Sequence, residues 1–250
     1  MFELIFLLFG SLLTGIIKGS IGIGSGIVPV SILAIFLPPD QTVVSLYPAM
    51  LATTLFSLVP YWKKWDVRSL KIMGPLSIAG TLLGVAILIY STPEILRVLV
   101  GTIAILFVLN EFYKERKQEE SNNVKYFKTL ASAFGFIGGI MSSMIHSGGV
   151  IFSMLLLRMK LSKETFVATL IVLMAVNDIC KGVLYGSANL ISISILSLLL
   201  IGLFSLIGVG LGVYLCRFIS LKYFKWLIRG VLLFSGLMLF VTGIKNMFFV

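Results

Sequence analysis

Charge is what this sequence has least of. Only 12% of its 250 residues are Asp, Glu, Lys or Arg, where a soluble domain carries about 25%. With 58% apolar residues and a mean hydropathy of +1.09, the chain holds more apolar surface than one soluble core can bury, so its solvent must be lipid. Histidine occurs once, as His146, which leaves no histidine pair for a metal site. Cysteine occurs twice, as Cys180 and Cys216, without metal or redox spacing; both are expected to be packing residues. Acidic residues are scarce too, 10 against 20 basic ones, for a net charge of +10. The basic residues fall in short clusters between apolar runs. That pattern places them against the cytoplasm and anionic lipid headgroups, not on nucleic acid. No signal peptide is expected, because the N-terminus lacks a basic region and no small-residue cleavage site follows the first apolar run.

What is present is apolar length. Eight hydrophobic segments are expected at 2–36 (interrupted), 41–62, 70–90, 94–113, 127–158 (interrupted), 164–186, 191–216 and 221–249, each about as long as a membrane span or longer. The one strongly polar stretch, KERKQEESNNVK at 114–125, divides the chain near its midpoint. The expected organisation is an N-terminal repeat 1–113, a cytoplasmic linker 114–126 and a C-terminal repeat 127–250. An offset of 124 residues aligns 15–90 with 139–214 without a gap. Gly15 then meets Gly139, Gly24 meets Gly148, Gly84 meets Gly208, Tyr61 meets Tyr185, and LPPDQTVVSL meets LSKETFVATL. Both interrupted segments coincide, as in the internal repeats of transporters.

Lys and Arg set the orientation of the halves. The 62–71 connection carries Lys63, Lys64, Arg68 and Lys71, and its counterpart 186–191 carries none. Conversely 37–42 carries none, while its counterpart holds Arg158, Lys160 and Lys163. Arg97 alone at 91–97 faces Arg217, Lys222 and Lys225. Matched connections therefore fall on opposite sides. The expected fold is an all-α integral membrane protein of two inverted repeats, each with one interrupted or re-entrant segment and three transmembrane helices. Whether 2–18 crosses fully or forms half of a hairpin stays open, since the N-terminus offers no Lys or Arg to decide it.

The interruptions are glycine-rich: GSIGIGSGIVPV at 19–30 and MSSMIHSGGVIF at 141–152. Each glycine weakens a helix by about 1 kcal/mol relative to alanine. Non-helical backbone at membrane depth is tolerated where it is buried in protein or lines a wet cavity. A break at Gly22, Gly24, Ser25 and Gly26 would free N–H groups ahead of a half-helix at 27–36. Ser147, Gly148 and Gly149 would do the same ahead of Val150. Freed N–H groups and a helix dipole favour an anion. Close helix packing is the structural alternative for these glycines; a dinucleotide loop is disfavoured by the glycine spacing and the absence of a preceding strand and a βαβ context.

Ionisable residues in apolar segments complete the candidate site. Lys18 precedes the first break and His146 lies in the second. Asp178 and Lys181 sit at an i, i+3 spacing that lets them pair, with Asn177 adjacent. Asn177 and Asp178 align with Thr53 and Thr54. Lys18, His146 and Asn177 are expected to bind substrate with the two breaks. His146 or Asp178 is expected to carry a coupling proton, or else Asp178 is a static counter-ion to Lys181. Tyr61 and Tyr185, near helix ends, are expected as interface anchors.

These residues resemble the sulfite exporter TauE/SafE family over essentially the whole chain. Such proteins commonly show a G-x-G-G-G segment followed by proline in each half, then a small-residue stretch opening the next helix. Gly22, Gly24, Ser25, Gly26 and Pro29 fit the first motif with one Ser for Gly, and Val43, Val44 and Ser45 fit the second loosely. In the C-terminal half His146 replaces the first glycine, Val150 the last and Ser153 the proline, while Thr169 keeps a small polar residue. The resemblance implies a secondary transporter for sulfite, sulfonates or similar small anions. The expected partners are that anion, protons and membrane lipid; a homodimer is compatible but not demanded. No cofactor or metal is expected. A passive anion channel is the first alternative. A membrane-embedded enzyme using His146 with Asp178 is disfavoured, since no Ser–His spacing and no cofactor domain accompany them.

Overall fold

The computed structural model describes residues 2–20, 25–116, 127–156, 159, 161–190, 194–215 and 221–248. Gly22, Gly24, residues 117–126 of the linker, Arg158, Lys160, Cys216 and Arg217 lie outside the described residues. Among the described residues the chain is all-helical: α1 (Phe2–Ser20), α2 (Ile27–Leu33), α3 (Pro39–Leu58), α4 (Val67–Tyr90), α5 (Pro93–Arg116), α6 (Phe127–Ile145), α7 (Gly148–Leu156), α8 (Lys163–Ser187), α9 (Ile195–Leu215) and α10 (Leu221–Phe248). Five of them are long and apolar enough to cross a membrane: α3 with the 3-10 turn Val59–Tyr61, then α4, α6, α8 and α9. This is a multi-pass membrane protein.

Both interruptions are present. The first half-helix ends at Leu33, sooner than expected, and Ala34–Phe36 form a turn. Pro38 and Pro39 follow immediately; they supply no N–H donor and bias the preceding residue away from helix. The second half-helix begins at Gly148, two residues earlier than expected. Helix starts are set by local chemistry. Asp66 caps α4 by accepting the Ser69 N–H at 2.8 Å, and Ser162 caps α8 by accepting the Thr165 N–H at 3.2 Å. Pro38 and Pro39 open α3 at the position equivalent to Ser162 under the offset.

Three long seams organise the helices: α1 on α9, α6 on α4, and α5 on α10. Under the 124-residue offset α1 corresponds to α6, α4 to α9 and α5 to α10. The first two seams therefore exchange, and the third maps onto itself. Each opening helix packs mainly against the other half of the chain. The aligned glycines sit in these seams. A Cβ at Gly15 would overlap the Ser205 carbonyl oxygen and lie 2.8 Å from the Gly208 Cα. One at Gly139 would overlap the Ser77 carbonyl oxygen and lie 2.8 Å from the Thr81 nitrogen; one at Gly84 would lie 2.9 Å from the Ile140 carbonyl oxygen. In lipid, where apolar area gives helices no reason to associate, backbone approach of this kind supplies the packing.

A Gly139→Ala substitution is therefore expected to cost about 1–3 kcal/mol through overpacking. Gly210→Ala, whose Cβ would meet nothing within 4 Å, should be neutral or gain up to about 1 kcal/mol of helix propensity. Thermal unfolding of the purified protein in detergent distinguishes the two.

Candidate functional site

The two interruptions touch. Ser25 and Gly26 form the turn that opens α2, and both are buried. A Cβ on Gly26 would overlap the His146 Cβ and lie 2.9 Å from the His146 carbonyl carbon, so only glycine lets the two breaks meet this closely. His146 ends α6 in the left-handed region, with φ 52°. It occupies the position that the offset pairs with Gly22. A side chain in that conformation costs about 1–2 kcal/mol and needs surrounding contacts to hold it. Those contacts exist. The Val43 carbonyl lies 2.8 Å from His146 Nε2; a carbonyl only accepts, so Nε2 carries the proton. Nδ1 lies 3.0 Å from Lys181 Nζ and accepts from it.

Lys181 is 1% exposed, and three acceptors surround its ammonium. These are Asp178 Oδ1 at 2.7 Å, His146 Nδ1 at 3.0 Å and the Ser142 carbonyl at 3.2 Å. An ammonium has three donors, so every one is used. The other carboxylate oxygen of Asp178 accepts from Thr54 Oγ1 at 2.8 Å. Thr54 in turn accepts from Lys18 Nζ at 2.7 Å, and Lys18 also reaches Thr53 Oγ1 at 3.0 Å. The result is a continuous chain of hydrogen bonds from Lys18 on α1, through α3 and α8, to His146 between α6 and α7. Asp178 and Thr54 are 124 residues apart, the repeat offset, so this contact joins two equivalent positions.

Other expected site residues fall beside this chain. Ser147, Gly148 and Gly149 are buried at the start of α7. A Cβ on Gly148 would lie 2.6 Å from the Gly138 carbonyl oxygen, and one on Gly149 would lie 3.0 Å from Met174 Sδ. Both glycines thus seat α7 between α6 and α8. Asn177 turns away from Asp178. Its Nδ2 donates to Ser77 Oγ at 3.0 Å and to the Leu173 carbonyl at 2.6 Å, and its Oδ1 accepts from Thr81 Oγ1 at 2.5 Å. With both N–H donors occupied, it ties α8 to α4. His146 and Asp178 do not bond directly; Lys181 stands between them.

Tyr185 corrects an expectation. It is fully buried, not an interface anchor. Its hydroxyl donates to the Ser143 carbonyl at 3.2 Å, and its ring meets Tyr47 edge-on at 5.6 Å. The helix-end rule misplaced it because, although α8 ends at exposed residues, the side chain of Tyr185 lies on the face turned to the core. Thr53, Thr54, Val43 and Ser142 are the contributors that sequence reasoning left out of the site. The match of Thr53 and Thr54 with Asn177 and Asp178 was a usable signal for the first two. Backbone carbonyls give none. Cys180 is a free, half-buried thiol. Among the described residues no group of three or more His, Cys, Asp or Glu could hold a metal ion.

Removing one partner of a buried ion pair strands the other, at about 3–5 kcal/mol. Asp178→Ala is expected to lose that much, and Asp178→Ala with Lys181→Met to recover part of it, measured by thermal unfolding. At His146 the backbone makes a separate forecast: His146→Gly should be more stable than His146→Ala by about 1 kcal/mol, because glycine adopts the left-handed conformation without strain.

A family model described as Sulfite exporter TauE/SafE matches residues 7–239. No curated protein and no solved structure matches the chain. The matched range contains every residue of the Lys18–His146 network and both interruptions. The chain belongs to the sulfite exporter TauE/SafE family, a family of membrane transporters.

Proposed function

We propose that the protein is a secondary transporter that moves a small anionic sulfur compound, sulfite or a sulfonate, across the cytoplasmic membrane by alternating access. Family membership supports the substrate class. The observation that carries the reading is the buried network where the two interruptions touch. It holds two lysines, Lys18 and Lys181, against one carboxylate, Asp178. Charge inside a membrane protein is costly and is retained for function, and the cationic excess suits an anion. Lys18 is the partly exposed member of the network.

In this reading the two halves are inverted repeats, the linker 114–126 is cytoplasmic, and one half rocks against the other about the Thr54–Asp178 contact. Asp178 is the proton-coupling group. Its carboxylate holds Lys181 directly and Lys18 through Thr54, so adding a proton to it loosens both. His146 is the poorer carrier: a proton on Nδ1 would set an imidazolium 3.0 Å from the Lys181 ammonium. Ser25, Gly26, Ser147, Gly148 and Gly149 supply the backbone beside which the anion sits.

Reconstituted vesicles test this. Saturable sulfite or sulfonate uptake, accelerated by the same anion on the far side, is expected. For a sulfur anion of fixed double charge such as thiosulfate, Asp178→Asn should remove the pH dependence of uptake, and His146→Ala should leave it. Currents that follow the anion gradient without saturation or counterflow would identify a channel and overturn the proposal.

A further inference from the structure

The charges in the network add up to a rule about what it can carry. Lys18 and Lys181 contribute two positive charges, and Asp178 one negative. His146 is neutral while its Nδ1 accepts from Lys181; a proton passed from Lys181 to His146 would leave the sum unchanged. The groups facing Asp178 are known from each element packed on it: Lys181 on α8, Thr54 on α3 and, through Thr54, Lys18 on α1. Tyr47 on α3 and Tyr185 on α8 pack edge to face nearby and are neutral phenols. His146 lies beyond Lys181. The neighbouring residues 21–24 are Ile, Gly, Ile and Gly and add no charge. The network therefore carries one net positive charge with Asp178 ionised and two with Asp178 protonated.

Uncompensated charge in a dehydrated interior is strongly unfavourable. The state that changes access is the one with least net charge. A monoanion neutralises the network with Asp178 ionised. A dianion neutralises it only after Asp178 has taken up a proton. We propose that charge matching at Lys18, Asp178 and Lys181 sets the proton stoichiometry of transport: a monoanion crosses without a proton, and a dianion crosses with one. The proton comes from bulk water, resides on the Asp178 carboxylate during the crossing, and leaves to bulk water on the other side. This rests on the transporter reading above and gives it a number to check.

The test uses the full-length protein in vesicles containing a pH-sensitive dye. Methanesulfonate serves as the monoanion and thiosulfate as the dianion; each keeps a fixed charge between about pH 6 and 8. Thiosulfate uptake is expected to carry one proton per anion and to accelerate as pH falls. Methanesulfonate uptake is expected to carry none. Asp178→Asn fixes the network at two positive charges. It should carry thiosulfate without a proton, and its preference for thiosulfate over methanesulfonate should rise on the order of tenfold or more. Equal proton counts for the two anions in the wild-type protein would overturn the stoichiometry rule while leaving an anion transporter in place. That arm decides even if the variant does not fold. Uptake of neither anion, nor of sulfite, would sink the transporter reading itself.

Discussion

The structure depends on one buried carboxylate. Among the described residues Asp178 is the only acidic side chain in the interior, and two lysines are held through it. It grips Lys181 directly and Lys18 by way of Thr54. Without it, two ammonium groups would share a water-poor space with no opposing charge, a far costlier arrangement than any of the packing contacts around it. The arrangement of α1, α3, α6 and α8 follows from this. Each of these helices brings at least one group to the Asp178 network, and the charged ones, Lys18 and Lys181, could not be satisfied in lipid.

The second constraint is close backbone approach. Helices in lipid gain little from apolar contact, so their partners are chosen by shape. Gly15 and Gly208 on one seam, and Gly139 and Gly84 on the other, let carbonyl oxygens of one helix sit where a side chain would be. The exchange of α1 and α6 between the halves follows from these seams and places Lys18 and His146 on opposite sides of the same network. Gly26 against His146 completes the contact between the two interruptions. Seams and network reinforce each other: the first fixes helix distance, the second fixes which faces meet.

Much of this was legible in the sequence, and the reasons are physical. Apolar length gave the helices, because lipid tolerates little else. Glycine in the middle of an apolar run gave the breaks, since it weakens the helix where lipid most needs one. The i, i+3 spacing of Asp178 and Lys181 gave a pair. The exchanged helix partners were not legible, because hydropathy is blind to which small-residue stripe meets which. Tyr185 was misread for a related reason: proximity to a helix end says nothing about which way that face of the helix is turned. The carbonyls of Val43 and Ser142, which hold His146 and Lys181, are backbone atoms and leave no mark in composition. Thr54 was visible only as a polar residue at the right depth; its bond to Asp178 required two equivalent positions to face each other.

That last contact constrains the history of the fold. A residue that touches its own counterpart across a repeat axis must be compatible with itself while the halves are identical. Two threonines satisfy this, since each hydroxyl both gives and accepts a hydrogen bond. Two aspartates at this distance cannot both be ionised. Under the inverted repeat proposed above, an ancestor with matching halves could have held threonine at this junction but not a pair of ionised carboxylates, and the internal charge would have come with the divergence of one half. In the alternating-access carrier proposed above, the two sides would then be chemically unequal at their centre, and the inward- and outward-facing states would not be mirror images in energy.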